Sequence, residues 1–333
     1  MILVTGGTGL VGAHLLYKLA SDNKKVRAIY RNEQKISNTK NVFSCYSGDS
    51  DTLFNTIEWV EADLLDIPAL MDAFTGVTKV YHCAAFVSFE PDKYQLLRKI
   101  NIEGTANIVN LCISGNIEKL CYVSSIATLG NTLNNTEITE DTIWNPEDDN
   151  NVYAITKYGA EMEVWRGTQE GLNAVIVNPG VILGAGIWRY GTGNLFKKAK
   201  KGFKYYTSGT VGLVAVDDVV DIMIALMDSE IKNERFILVA ENWTYKSFLN
   251  ALAKAVNGKP LKKQASKNLL KIAWKMDWLK HKLTGKRRLI TKHLAKSLTT
   301  ETHYSSAKIK TALNYKFKAV DKTINVIGNL YLK

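Results

Sequence analysis

The segment Thr5-Gly6-Gly7-Thr8-Gly9-Leu10-Val11-Gly12 constrains this chain more than any other stretch. It follows a short apolar run over residues 2–5 and opens a helical pattern over 13–20, where Leu15, Leu16 and Leu19 share a face. Glycine at 6, 9 and 12 has a distinct use at each position. Gly6 permits a tight turn, Gly9 lets the backbone approach a pyrophosphate, and Gly12 lets the helix pack on the strand. The helix N-terminus adds free N–H groups and the positive end of its dipole. A glycine triplet alone is a weak signal; set between a strand and a helix at the start of a βαβ unit, it is strong.

The pattern continues in the same manner. Strand-like runs at 26–30, 57–60, 79–83, 119–124 and 174–178 alternate with helical stretches, notably 94–113 and 152–170. This alternation predicts an α/β fold, a doubly wound parallel sheet of the Rossmann type. After about residue 180 the chain becomes loop-rich, with Gly184, Gly186, Gly191 and Gly193, before helix-like runs at 216–228, 247–256 and 267–283 and a strand at 236–239. The expected division is a dinucleotide-binding domain over 1–180 and a smaller C-terminal α/β substrate lobe over 181–333, with some later segments returning to the core. The segment 36–56 is longer than a simple connection between the second and third strands requires.

The end of the second strand should read the adenosine ribose. An acid there suits NAD, and an arginine suits the 2′-phosphate of NADP. The residues are Tyr30-Arg31-Asn32, so NADP is the expected cofactor with Arg31 on its phosphate; NAD remains open, and a merely solvated arginine is the competing reading. Asp63 and Leu64 end the third strand, where the carboxylate can accept from the adenine amino group.

Tyr153-Ala154-Ile155-Thr156-Lys157 sets a phenol and an ammonium four residues apart, on one face of a helix. A nearby ammonium favours the phenolate, so such a tyrosine can exchange a proton while a hydride moves. Ser124-Ser125 closes the fifth strand, beside the crevice where a doubly wound sheet binds nucleotides. In isolation the Tyr–Lys spacing is as easily a surface pair; glycine turn and serines in this chain order favour the chemical reading.

These pieces together resemble an extended short-chain dehydrogenase/reductase of the NAD-dependent epimerase/dehydratase family. The resemblance rests on TGGTGLVG (5–12), ADLLD (62–66), HCAAFVSF (82–89), NIEGT (101–105), YVSSIATLG (122–130), YAITK (153–157) and NPGVILG (178–184), with VAVDDV (214–219) and YSSAKIKTALNY (304–315) further on. It spans nearly the whole chain, more loosely after 185, and is nearest to the dihydroflavonol 4-reductase-like branch. It implies a catalytic triad of Ser125, Tyr153 and Lys157. Ser125 is preferred to Ser124 because it stands five residues before Gly130. It further implies that Lys157 bonds the nicotinamide ribose, that Ala84 and Ala85 line the cofactor channel, that Asn101 supports the site, and that Pro179, Gly180 and Val181 lie near the nicotinamide amide. A homodimer through 94–113 and 152–170 is expected from the family. Two departures stand out. Ile126-Ala127 replaces the Asp-Glu of the family's dehydratases, and Tyr30 replaces the acid of its NAD-using epimerases.

The pocket is expected to be walled by 86–89, 187–194 and parts of 200–215, with Trp188, Tyr190, Phe196, Phe203, Tyr205 and Tyr206 making it aromatic. That favours a flat or apolar carbonyl compound over a nucleotide sugar, although Arg189, Lys197, Lys198 and Lys201 could hold a diphosphate. The net charge of +11 is uneven: residues 254–333 hold 20 Lys and Arg against Asp277, Glu301 and Asp321, or +17, which leaves −6 for the rest. Within this region, 267–288 is a basic, Trp-containing amphipathic stretch. It can lie on an anionic membrane, or its apolar side can pack on the body. Nucleic acid is not expected, because base-reading motifs are missing. The five histidines and four cysteines show no metal-ligand spacing, and with no leader-like N-terminus or long apolar run the expected compartment is the cytoplasm. Three functions compete: an oxidoreductase on a carbonyl/alcohol pair, a nucleotide-sugar epimerase using NAD transiently, and a nucleotide-binding regulator without turnover.

Overall fold

A computed structural model describes all residues except 47, 48, 132–136, 286, 287, 289 and 290, so Lys286 and Arg287 of the basic stretch lie outside the described residues. Seven parallel strands form the main sheet. They are β1 (Ile2–Thr5), β2 (Val26–Tyr30), β3 (Glu58–Glu61), β4 (Lys79–His82), β5 (Lys119–Val123), β6 (Ala174–Pro179) and β9 (Glu234–Leu238), in the order β3-β2-β1-β4-β5-β6-β9. The order reverses between β1 and β4, and the crevice of such a sheet opens at the carboxyl ends of the strands on either side of that reversal.

Both faces of the sheet are covered, so the middles of its strands are apolar, with charged residues such as Glu58, Lys79, Lys119 and Glu234 at the strand starts. Alternate residues feed opposite layers: Val4 packs with Leu15, Leu16 and Leu19 of α1 (Leu10–Ser21) and with Val219, Met223 and Leu226 of α9 (Val216–Asp228). Its neighbour Leu3 packs with Leu70 of α4 (Ile67–Phe74), Ile108 and Val109 of α6 (Gly104–Ser114), and Ala160 and Val164 of α7 (Val152–Gln169). The expected helix at 94–113 is three pieces. A short α5 (Tyr94–Leu97) and α6 flank a π-helical stretch over Arg98–Glu103.

Segment 36–56 contains two helices, α2 (Ile36–Phe43) and α3 (Ser50–Asn55), folded against the glycine turn. The Thr39 hydroxyl donates to the Gly7 carbonyl at 2.9 Å. Tyr46 stacks on Tyr17 with ring centres 3.8 Å apart, bonds His14, and donates to Asp217 at 3.2 Å. The extra length is therefore a buttress joining α1 to α9.

At Gly180 the chain leaves the large sheet; a Cβ there would stand 2.5 Å from the Gly212 carbonyl oxygen. β7 (Val181–Leu183), β8 (Thr210–Ala215) and β10 (Glu241–Thr244) make a small sheet in the order β10-β8-β7. It packs with α8 (Gly193–Lys201), α10 (Tyr245–Ala255) and α14 (Val320–Leu332) around Phe196, Phe248, Leu252 and Ile324. Between α10 and α14 lie α11 (Lys267–Thr284), α12 (Lys292–Ser297) and α13 (Ala307–Leu313).

Candidate active site

The glycine turn has the geometry its sequence demands. Gly6 has φ +70°, and a Cβ on it would lie 2.6 Å from the Ala84 amide nitrogen, so the turn and the loop after β4 touch backbone to backbone. The Gly9 amide donates to the Gly6 carbonyl at 2.9 Å, and a Cβ on Gly12 would sit 2.3 Å from that same oxygen. A Cβ on Gly9 would meet only the Gly6 oxygen at 3.3 Å. Gly9 has no side chain to cap α1, and the first amides of a helix have no partner within it. The space before Leu10, Val11 and Gly12, with Thr8 half-buried beside them, therefore suits a pyrophosphate. The residues present fit a dinucleotide.

Arg31 and Asp63 follow the neighbouring ends of β2 and β3. Arg31 is 56% exposed and lies 3.6 Å from the Asp63 carboxylate, which also accepts from the Leu65 amide at 3.0 Å. Leu64 points the other way: it is buried, and its backbone oxygen accepts from Asn107 at 2.8 Å. Ala84 donates its amide to the Thr5 hydroxyl at 3.2 Å and Ala85 follows it in the same loop. Asn101, in the π-helical stretch, accepts from the Phe86 amide at 2.8 Å, donates to the Phe86 carbonyl at 3.1 Å, and donates to Thr156 on α7 at 3.3 Å. It clamps the loop after β4 to the helix that carries Tyr153 and Lys157. Pro179 is buried at the end of β6, and Val181 is half-buried just beyond it.

Asn151 caps α7 by accepting from the Ala154 amide at 2.9 Å, which fixes where the helix starts and hence where Tyr153 points. The Ser125 side chain lies near enough to Tyr153 to favour its phenolate, against the burial that raises its pKa. Ser125 is extended and accepts from the Ala127 amide at 3.1 Å. The Phe89 ring packs edge-on against Tyr153, centres 5.3 Å apart. Gly130 is required behind this turn, since a Cβ would overlap the Ile143 carbonyl oxygen at 1.8 Å.

Lys157 is fully buried and donates to the Tyr122 hydroxyl at 2.6 Å and the Val123 carbonyl at 2.9 Å. Burial lowers its pKa to about 7, against the opposing pull of Glu161. The electrostatics differ from the sequence expectation here. Burial raises the Tyr153 pKa and only the Ser125 hydroxyl lowers it, while Lys157 leans on Tyr122 instead. The bulky phenol of Tyr122 at the end of β5 takes the ammonium that the i, i+4 spacing alone would give to Tyr153.

A further residue was not singled out by sequence reasoning. Glu161, one turn beyond Lys157 and wholly buried, accepts from Ser124 at 2.5 Å, Thr128 at 2.8 Å and Asn178 at 2.9 Å, and pairs with Arg235 at 3.1 Å. Ser124 is thus turned away from Tyr153 into this network. The signal was the continued spacing of Tyr153, Lys157 and Glu161 along one helix face, with an acid where a buried position was expected. The aromatic wall also differs from expectation. Phe196 is fully buried, and Trp188 and Phe203 pack with it in the lobe's core, while Tyr190 and Tyr205 are exposed. Apolar side chains are needed to hold the lobe together before any remain for a pocket. Of the expected wall, Phe89 is the ring placed on Tyr153.

The doubly wound sheet and the sequence of its nucleotide half place the chain among the extended short-chain dehydrogenases/reductases. The chain belongs to the NAD dependent epimerase/dehydratase family, which matches residues 2–240. It is 27% identical over 254 residues to Sterol demethylase protein B of Methylococcus capsulatus, covering 75% of this chain and 73% of that one. It is 32% identical over 182 residues to a putative dihydroflavonol 4-reductase of Synechocystis sp., covering 54% of this chain and 49% of that one. The fold matches that of a Thermus thermophilus UDP-glucose 4-epimerase solved with NAD, at a TM-score of 0.74 and 19% identity over 99% of this chain and 98% of that one. The chain is thus a member of a group with NAD-dependent oxidoreductase, epimerase and dehydratase chemistry.

Proposed function

We propose that this protein is an NADP-dependent oxidoreductase acting on a carbonyl/alcohol pair, with Tyr153 as the acid/base. The observation that carries the proposal is Tyr153 at the capped start of α7 with Lys157 buried one turn along the same helix, and Ser125 just past the end of β5. A bound nicotinamide dinucleotide supplies the hydride donor or acceptor. Leu10, Val11 and Gly12 would hold its pyrophosphate with their backbone N–H groups. Ser125 donates a hydrogen bond to the substrate oxygen and fixes its position. Tyr153 gives its phenolic proton to that oxygen in reduction and takes it back in oxidation. Two donors of the Lys157 ammonium are used by Tyr122 and Val123; the third is available to a ribose hydroxyl.

Two observations support the finer choices. Arg31 is exposed and bound only by a surface ion pair, worth under about 1 kcal/mol, so it can turn to a 2′-phosphate. Phe89 against Tyr153 supports an apolar substrate, as does the likeness to a protein named for sterol demethylation.

The test is Tyr153→Phe. NADPH affinity, read by fluorescence titration, should stay within about twofold. Reduction of a panel of aromatic and alicyclic ketones and aldehydes should fall at least ~100-fold. Retained turnover refutes the role of Tyr153. NAD that stays bound through purification and does not exchange refutes the NADP reductase reading in favour of an epimerase.

A further inference from the structure

Helix α11, in the basic stretch after residue 260, packs one apolar edge and leaves a second one exposed. Helix α11 is capped by Ser266, which accepts from the Leu269 amide at 3.2 Å, and stopped by Gly285 at φ +64°. It rests on the body through Leu270 and Trp274, which pack with Ala265 and Ala295. The opposite side carries Leu269, Ile272, Met276, Leu279 and Leu283, spaced three, four, three and four residues apart. This forms one continuous stripe along the helix. All five are exposed, Met276 by 65% and Leu283 by 76%. Lys271, Lys275 and Lys282 flank the stripe on one side and Lys280 on the other. Trp278 is exposed and lies under the Lys282 ammonium, 5.4 Å away. The one acid of the helix, Asp277, is on the inner side, within 3.9 Å of Arg288.

We infer that this face of α11 docks on an anionic lipid surface. Charge decides between that occupant and a second copy of the chain. Two such stripes facing each other would set lysine flanks against lysine flanks with no outward acid to pair them, which is repulsive. An anionic lipid surface takes the leucines and methionine into its acyl boundary and the lysines among its headgroups. The remainder of residues 254–333 adds to the attraction, for the region carries +17. No helix among the described residues is long and apolar enough to cross a membrane, so the contact is peripheral. Just past α11, the Arg288 amide donates to Glu90 at 3.4 Å, next to Phe89. The C-terminal end of the docking helix is therefore tied to the loop that packs on Tyr153. The inference is independent of which reaction the site performs.

The experiment is co-sedimentation of the full chain with vesicles of phosphatidylcholine alone, and of phosphatidylcholine and phosphatidylglycerol in equal parts. The chain should pellet with the second at low ionic strength, at least ~10-fold more than with the first, since each lysine at such a surface is worth roughly a fivefold change in partition. Binding should fall away at about 1 M salt, where the Debye length is about 3 Å. The triple substitution Ile272→Glu, Met276→Glu, Leu279→Glu changes exposed side chains, so thermal unfolding and NADPH binding should be unchanged while vesicle binding drops ~10-fold or more. The inference is overturned if the wild-type chain stays in the supernatant with anionic vesicles, or if the triple variant pellets equally well. It is also overturned if sedimentation velocity shows a dimer that the triple variant dissociates, since a second copy would then cover the stripe.

Discussion

Replacing Glu161 by glutamine removes one buried charge and nothing else of comparable size. In the native arrangement one carboxylate oxygen receives Ser124, Thr128 and Asn178, and the other faces Arg235. A glutamine cannot satisfy both sides. If its oxygen meets the three donors, its NH2 group points at the guanidinium, and the reverse placement sets it against the three donors. Arg235 would keep its bonds to the Glu140 carbonyl but lose its counter-charge, with only 19% of its side chain exposed. Breaking a buried ion pair costs about 3–5 kcal/mol, and the residual exposure and surviving bonds put this case near 3 kcal/mol. For a chain of this size that is a fall in Tm of roughly 5 °C. The assay is thermal unfolding of Glu161→Gln, Arg235→Met and the double variant at pH 8. The double variant should be more stable than the sum of the singles predicts, because the second change removes the stranded guanidinium. A Glu161→Gln variant within about 1 °C of wild type, or a fully additive double variant, would refute the reasoning.

Three other outcomes follow from the geometry. Gly9→Ala makes a single tight contact, 3.3 Å from the Gly6 carbonyl oxygen, so Tm should hold within about 2 °C, while the approach to the pyrophosphate narrows and the NADPH dissociation constant rises ~10-fold or more. Unchanged affinity would remove the phosphate from that position. Arg31→Ala should weaken NADPH by roughly 1.5–3 kcal/mol, the range for a hydrogen bond to a charged group, and leave NADH nearly unchanged; equal losses would show that Arg31 does not read the 2′-phosphate. Burial holds His14 at about 4 and His82 at about 3, below the unfolded value, so both fold as neutral rings. The unfolded chain then binds more protons as pH falls below about 6.5. Stability contributed by each ring is present above that pH and lost on acidification, by roughly 3 kcal/mol per ring at pH 4. A Tm that stays flat from pH 7 to about 4.5 would contradict this.

The nucleotide half of the fold was legible because its signals are local. Strand, glycine turn and helix follow one another within residues 2–21, and each glycine answers a contact made within a few residues or one strand away. That Tyr153 and Lys157 share one helix was also readable, since a fixed spacing on one helix needs no knowledge of the rest. What escaped is non-local. Tyr122 intercepts Lys157 through a side chain on another element, and Glu161 gathers partners from positions 124 to 235. The short strands β7, β8 and β10 were missed because each is three to six residues long and finds its partner across the lobe. The aromatic residues of that lobe could not be divided between core and pocket by composition, which is blind to direction. Segment 36–56 hid two helices because Phe43 and Phe54 pack on each other and on Tyr17 of α1 and Trp59 of β3, contacts that no local period announces.

The position of β9 has a consequence for any attempt to express the first half of this chain by itself. β6 pairs with β5 on one side and with β9 on the other, from Val175 opposite Glu234 to Pro179 opposite Leu238. A fragment ending near residue 180 would keep β6 but lose the strand that covers it. Its free edge would present Val175, Ile176 and Val177, all with no exposure in the intact protein. Such a flat, apolar, unpaired edge is a template for intermolecular pairing. A shortened version of the nucleotide-binding half would meet its own copies before it met any cofactor, and precipitate.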